Sequence, residues 1–280
     1  YRSANGQWLY PEEVEIALGA DGTRSAALKE GGGPVTIGRV EAMSKSKRNT
    51  VDPGAIIERY GADTARWFIL SDNPPERDME WTESGVAGAY RFSQRLYRMA
   101  AAAAPALPPP GTDPGGAEGA ARRLRQATHR TIAAVTEALE SFAFNVAVAR
   151  IHEFANTIAD ADGVEGAARR EALEAIARLA APMMPHLAEE IWSLLRPGEA
   201  TLVAELPWLT PDPALLKAET VTLAVQVLGK LRGTIEVPVD ADEATVFAAA
   251  EAEENVARSL AGRPIRKRIH VPGRIVNFVV

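Results

Sequence analysis

The stretch Ala42-Met43-Ser44-Lys45-Ser46-Lys47-Arg48-Asn49 places lysine and two hydroxyls on a segment free to bend, with Val51-Asp52-Pro53-Gly54 directly after it. That combination suits a mobile loop that grips nucleotide phosphates. When a bond between two phosphates breaks, negative charge builds on the departing group, and an ammonium arriving there lowers the barrier more than it stabilises the bound ground state. Lysine fits the task as a compact charge on a four-carbon stem. Flanking serines add hydroxyl donors without bulk.

With its downstream context the stretch resembles the KMSKS signature loop of class I aminoacyl-tRNA synthetases. The resemblance implies that Met43, Ser44, Lys45 and Ser46 bind the ATP and pyrophosphate side of the reaction, with Lys45, aligned with the motif's second lysine, as the catalytic ammonium. Ala42 stands where the family carries its first lysine, which implies weaker ATP handling rather than lost chemistry. The string from Asn49 to Leu96, with Arg59-Tyr60-Gly61-Ala62-Asp63-Thr64-Ala65-Arg66 and Glu80-Trp81 inside it, is similar to the stem-contact region that follows this loop in leucyl-, isoleucyl- and valyl-tRNA synthetases.

These residues need elements to position them. Asp52-Pro53-Gly54 is a helix start, and Ile56, Ile57, Tyr60, Ala65, Phe68 and Ile69 follow at roughly helical spacing, broken at Gly61. Before the loop, turn formers at Asn5-Gly6, Asp21-Gly22 and Gly31-Gly32-Gly33 separate short apolar pieces, which predicts a small β-rich element. From Val86 to Ala104 the pattern is helical, with Phe92, Leu96 and Met99 on one face and Arg91, Arg95 and Arg98 on another. Pro105 to Gly119 is low in complexity and predicts an exposed loop. Helices are expected over Ala121 to Ser141, Asn145 to Asp160 and Gly166 to Leu195, the last kinked or divided at Pro182 and Pro185. With the Val86 helix they predict an antiparallel bundle. Phe142, Phe144, Met183, Met184 and Trp192 are expected in its core, and His186 is expected to be a structural histidine. Phe142-Ala143-Phe144-Asn145-Val146-Ala147 and the run Pro182 to Trp192 resemble recurring elements of the class I synthetase helical-bundle domain.

After Leu206-Pro207-Trp208-Leu209-Thr210-Pro211-Asp212-Pro213 the periodicity becomes two. Val221, Leu223, Val225 and Val227 alternate with polar or small residues, a turn falls near Gly229, and Leu231, Ile235, Val237 and Val239 follow. An acidic helix from Glu243 to Leu260 and two strands split at Pro272-Gly273 complete a small α+β domain. The segments Val225-Gln226-Val227, Gly229-Lys230-Leu231-Arg232-Gly233 and His270 to Asn277 resemble the C-terminal domain of bacterial leucyl-tRNA synthetases, with Leu228 in place of the turn's usual asparagine.

The resulting expectation is a mainly α chain with a smaller α+β part. Residues 1–40 would be the β-rich tail of a leucine-specific insertion, 41–85 the signature loop and stem-contact region, 86–205 the anticodon-binding-type bundle, 206–219 a linker and 220–280 a C-terminal tRNA-binding domain. Basic residues suited to RNA phosphates are Arg91, Arg95 and Arg98, Arg122 and Arg125 beside His129, Lys230 and Arg232, and Arg263, Arg266, Lys267, Arg268 and Arg274.

Composition sets limits on these readings. The 280 residues suffice for two or three domains, and the apolar runs are alanine-rich and too weak to span a bilayer. Net charge is −6, so RNA binding must rest on local basic faces. Cysteine is absent and the four histidines are scattered, so no thiolate zinc site or metal cluster is expected, and an intracellular, cytoplasmic location follows. The chain begins without methionine and reads as a fragment of a monomeric enzyme. The resemblance implies a leucine-tRNA ligase that uses ATP with Mg, leucine and tRNA(Leu), the fragment itself being inactive and holding no cofactor through its side chains. A stand-alone tRNA-binding module, an isoleucyl or valyl relative, and a purely structural helical scaffold are the competing readings.

Overall fold

Asp52 accepts the Gly54 amide at 3.0 Å, and Pro53 supplies a preset φ, so the chain turns into helix directly after the lysine-rich loop. Before that point the chain is built of short strands, turns and single 3-10 turns at Pro11–Glu13 and Lys45–Lys47. In the computed structural model, which describes residues 1–161, 163–217, 220–239 and 241–280, strands β1 (Arg2–Ser3), β2 (Val14–Leu18), β3 (Arg24–Leu28) and β4 (Pro34–Thr36) form an antiparallel sheet in the order β1-β4-β3-β2.

Two short helices follow, α1 (Pro53–Tyr60) and α2 (Ala62–Ser71), separated at Gly61, whose φ of 83° an L residue rarely adopts. The long helices come next: α3 (Glu83–Ala103), α4 (Gly119–Glu140), α5 (Phe144–Asp160), α6 (Ala167–Ala180) and α7 (Pro185–Leu195). Helix α3 starts three residues before Val86 because Thr82 caps it, its hydroxyl accepting the Gly85 amide at 3.2 Å. Gly85 is needed there, since a Cβ would sit 2.4 Å from the Phe68 ring. Pro182 and Pro185 divide the expected long helix into α6 and α7 rather than bending it.

One core joins α1 and α2 to this antiparallel bundle. Trp67 stacks on Phe92 with centroids 5.2 Å apart, and Val86, Leu96, Ile151, Phe154, Leu173, Leu179, Met183 and Met184 fill the interior. Phe142 departs from expectation: it is 65% exposed, with φ at 58°, because it follows the Ser141 cap of α4, where the chain must reverse and so leaves the helical face. Phe144 is half-buried against it, while Trp192 is in the core as expected.

His152 lies between Phe92, at 3.6 Å from ring to ring, and the Trp67 indole, whose N–H it accepts at 3.3 Å. Burial, with a smaller push from Arg95, lowers its pKa below the ordinary 6.5. The unfolded chain therefore takes up this proton more readily than the folded one, so stability is full above the ordinary value and falls as pH drops below it. Thermal unfolding followed by tryptophan fluorescence should show a lower midpoint at pH 5.5 than at pH 7.5. His152→Gln, which keeps an acceptor for the indole, should narrow that gap; an unchanged gap would assign the effect to other groups.

The compact units are Tyr1–Thr210 and Pro211–Val280. The second holds α8 (Pro213–Leu216), β5 (Thr220–Val227), β6 (Lys230–Pro238), α9 (Glu243–Ala252), α10 (Glu254–Leu260), β7 (Lys267–Val271) and β8 (Ile275–Val279), with sheet order β6-β5-β8-β7 and β5 parallel to β8. Residues 218 and 219, at the end of the expected linker, lie outside the described residues. Leu223, Val225, Val227, Ile235, Val237, Val276 and Phe278 pack beneath Val246, Ala250, Val256 and Leu260. The single acidic helix expected from Glu243 is two. Glu253 breaks it with extended dihedrals, caps α10 by accepting the Val256 amide at 2.7 Å, and lies over Gly233, where a Cβ would clash with its carboxylate. Leu228 and Gly229 form a two-residue hairpin turn with positive φ at both, so leucine occupies a position that asparagine would take at less cost.

Candidate phosphate loop and nucleic-acid interface

The loop is held by its own side chains. Asn49 accepts the Ser44 amide at 2.7 Å and donates to the Ala42 carbonyl at 3.2 Å, drawing together segments five and seven residues away. Ser44 and Ser46 share a hydroxyl hydrogen bond of 2.8 Å, and Lys45–Lys47 form one 3-10 turn closed by Arg48 in the left-handed region. Glu41 pairs with Lys47 and with Arg39, and both interactions keep its carboxyl below the usual range. The Arg48 guanidinium sits 5.2 Å over the Tyr10 ring. The Lys45 side chain is exposed, and its ammonium makes no hydrogen bond or ion pair among the described residues. Of the loop's three cations, one is available to an arriving anion.

Helix α2 ties this region to the bundle. The buried Asp63 carboxylate accepts the Leu187 amide at 2.7 Å and meets His186 Nδ1 at 2.9 Å, capping α7 from another element. Arg66 donates to the Met183 carbonyl at 3.1 Å and the Pro182 carbonyl at 2.8 Å. The turn between α6 and α7 is thus gripped on both sides by residues that follow the loop in sequence. His186 is a structural partner here, as expected, although its ring is largely exposed.

The basic residues sort themselves by position. On α3, Arg91 and Arg98 are exposed, whereas Arg95 donates to Asn156 Oδ1 at 2.7 Å. On α4, Arg122 is exposed, but Arg125 turns inward with its side chain only 16% accessible and makes a two-pronged contact with Glu171 at 2.9 and 3.3 Å. His129 joins the same carboxylate at 3.2 Å. Burial pushes Glu171 up, but the His129 and Arg125 hydrogen bonds outweigh it and hold the carboxyl below the usual range. Arg125 is therefore a bundle cross-link in this geometry, because α6 presents Glu171 to the same face.

In the second unit the register gives the layout. Lys230 pairs with Val227, which neighbours Phe278, and Phe278 pairs with Arg268, so Lys230 and Arg268 share one row across the sheet; Lys267, opposite Val279, lies one row beyond. Arg266 donates its amide to the Val279 carbonyl at 2.8 Å and sits at this same end, beside the β5–β6 turn. Arg268 points to the helical side and is held by Glu251 at 2.8 Å. Arg263 closes the end of α10 by donating to the Leu260 and Ser259 carbonyls. Arg232, near Arg258 and Ser259, lines a cleft of about 340 Å³. Arg274 lies at the opposite end of β8. The strand topology thus collects Lys230, Arg266 and Lys267 along one rim and separates Arg274 from them.

Two family models match the chain: "tRNA synthetases class I (I, L, M and V)" over residues 35–82 and "Anticodon-binding domain of tRNA ligase" over residues 121–247. A leucine–tRNA ligase of Acidiphilium cryptum is 57% identical over all of this chain and 32% of its own length, and that of Granulibacter bethesdensis is 55% identical with the same coverage. The chain is homologous to bacterial leucyl-tRNA synthetases. It spans about a third of the length of the curated relatives it matches. A solved ternary complex of Agrobacterium radiobacter LeuRS with tRNA and LeuAMS superposes with a TM-score of 0.69 at 30% identity, covering 85% of this chain and 31% of that one.

Within this synthetase homologue the class I match contains the loop, α1 and α2, and the bundle match begins inside α4. Sequence reasoning missed Asn49, Asp63, Arg66 and Glu171 as organising residues. Only Asp63 left a signal, as a carboxylate on an otherwise apolar helical face; the other three bond across turns or between helices far apart in sequence.

Proposed function

We propose that the chain is the signature-loop and tRNA-binding portion of an ATP-dependent leucine–tRNA ligase, which joins leucine to AMP and passes it to tRNA(Leu). The observation that supports it best is Lys45, exposed and unpaired in a loop whose other two cations are engaged. Lys45 would meet the charge on departing pyrophosphate, with Met43, Ser44 and Ser46 beside it. ATP is the substrate whose phosphates the loop addresses, and Mg would accompany those phosphates in the longer protein. Leucine activation is a property of that longer protein and not of these residues alone. A cytoplasmic, monomeric enzyme is the reading that accords with its role; among the described residues no helix is long and apolar enough to cross a membrane. The division into an insertion tail, loop region, bundle and C-terminal domain at the boundaries given above belongs to the same proposal.

RNA would be held on exposed cations: Arg91, Arg98 and Arg122 on the bundle, and the Lys230, Arg266 and Lys267 rim of the small unit with Arg232 near it. These address phosphates and shape rather than base edges. Replacing Lys230, Arg266 and Lys267 by alanine should weaken tRNA binding and flatten the plot of log affinity against log salt by about 2 units, at roughly 0.7 to 0.9 per phosphate contact. Arg274→Ala should change the slope less. Equal slopes for the triple variant and the parent chain would remove this rim from the interface.

A further inference from the structure

We propose that Asn49 is the positioning residue for Lys45, folding the loop before nucleotide arrives. This rests on the ligase reading above. Among the described residues the Asn49 carboxamide alone bonds to both residues flanking Met43: its oxygen takes the Ser44 amide at 2.7 Å and its nitrogen reaches the Ala42 carbonyl at 3.2 Å. Both bonds lie immediately before Lys45, so they fix the direction in which the following 3-10 turn leaves. The turn itself adds Lys47 N–H to the Ser44 carbonyl at 3.1 Å and Arg48 N–H to the Lys45 carbonyl at 3.2 Å. Glu41 pairs with Lys47, and the Arg48 guanidinium lies over the Tyr10 ring.

The consequence is chemical. A lysine on an unorganised segment must be ordered during each turnover, and that ordering entropy raises the barrier; a loop already folded meets the leaving group with less left to fix. An amide is suited to this because it is donor and acceptor at once, whereas aspartate could keep the Ser44 bond but would set a carboxylate against the Ala42 carbonyl. Asn49 touches no phosphate in this scheme. It acts through Lys45.

The test uses the full-length ligase and separates activation from transfer. Asn49→Ala should lower the rate of leucine-dependent ATP/pyrophosphate exchange by about 10-fold or more. It should leave the KM for leucine, and transfer from preformed leucyl-adenylate to tRNA, within twofold of the parent, since no pyrophosphate leaves in that step. Asn49→Asp should recover part of the exchange rate. Lys45→Ala is run alongside. If Lys45→Ala loses exchange while Asn49→Ala keeps it, the positioning role is wrong and the ligase reading stands; if Lys45→Ala also keeps it, the reading of the loop falls first. Equal losses in activation and transfer for Asn49→Ala would mean general disruption and would overturn the proposal.

Discussion

Trimming Lys45 to alanine in the full-length ligase is expected to lower leucine-dependent ATP/pyrophosphate exchange by about 100-fold or more, the range seen when one preorganised donor to a developing charge is removed. The KM for leucine should hardly move, because an interaction made mainly in the transition state depresses kcat and kcat/KM together. The expectation follows from the company Lys45 keeps. Lys47 is bound by Glu41 and Arg48 is stacked over Tyr10, so neither of the loop's other two cations is free to replace the lost ammonium. The motif's first lysine is also missing, with Ala42 in its place. The redundancy that a lysine at position 42 would give is therefore absent, and Lys45→Arg should rescue only in part, since a planar fork differs from a point charge. Exchange rates within threefold of the parent would exclude Lys45 from the chemistry.

The second large effect concerns the bundle itself. Arg170 is only 5% exposed and serves Glu174 at 2.9 Å, the Leu195 carbonyl at 2.7 Å and the Pro108 carbonyl. Through it the loop between α3 and α4, helix α6 and the end of α7 share one guanidinium. Glu174 is also paired with Arg196 at 2.9 Å, and Arg196 with Glu199 at 2.9 Å, an arrangement that raises the Arg196 pKa chiefly through the Glu174 hydrogen bond. Arg170→Ala would leave two carbonyls without donors and a carboxylate half-matched, so the folded state should lose about 3 to 5 kcal/mol. Arg170→Lys should also lose stability, because one ammonium cannot face three acceptors set in different directions. The five tryptophans, at positions 8, 67, 81, 192 and 208, all lie in the first unit, so denaturation followed by their fluorescence reports that unit alone. A loss below about 1 kcal/mol, the ordinary scale of an exposed pair, would mean that the network is peripheral.

Much of the architecture was legible from residue pattern. Phe92, Leu96, Leu124, Ile132 and Val135 recur at helical spacing and are buried, and the alternation of Leu223, Val225 and Val227 gives a strand with one covered face. The loop was legible because its residue types are chemically narrow. What pattern could not give was pairing across distance. Arg125 and His129 fall on one helical stripe with Arg122, and only the arrival of Glu171 from α6 turns the first two inward. Phe142 reads as core by hydrophobicity alone, yet it occupies a left-handed position at the α4–α5 reversal. The break at Glu253 was hidden because an alanine-rich acidic run favours helix throughout; the local cap and the closeness of Gly233 decide against it. The same limit applies to Asn49, whose two bonds depend on how sharply the loop doubles back.

The parallel pairing of β5 with β8 sets an order of events for the small unit. During synthesis β5 and β6 can meet across their tight turn at once, but the other side of β5 stays bare until α9, α10, β7 and β8 have all emerged from the ribosome. Such non-local closure is slow, and an uncovered strand edge in the interim invites pairing with another nascent chain. Truncation between α10 and β7 should therefore yield aggregated material rather than a soluble half-sheet.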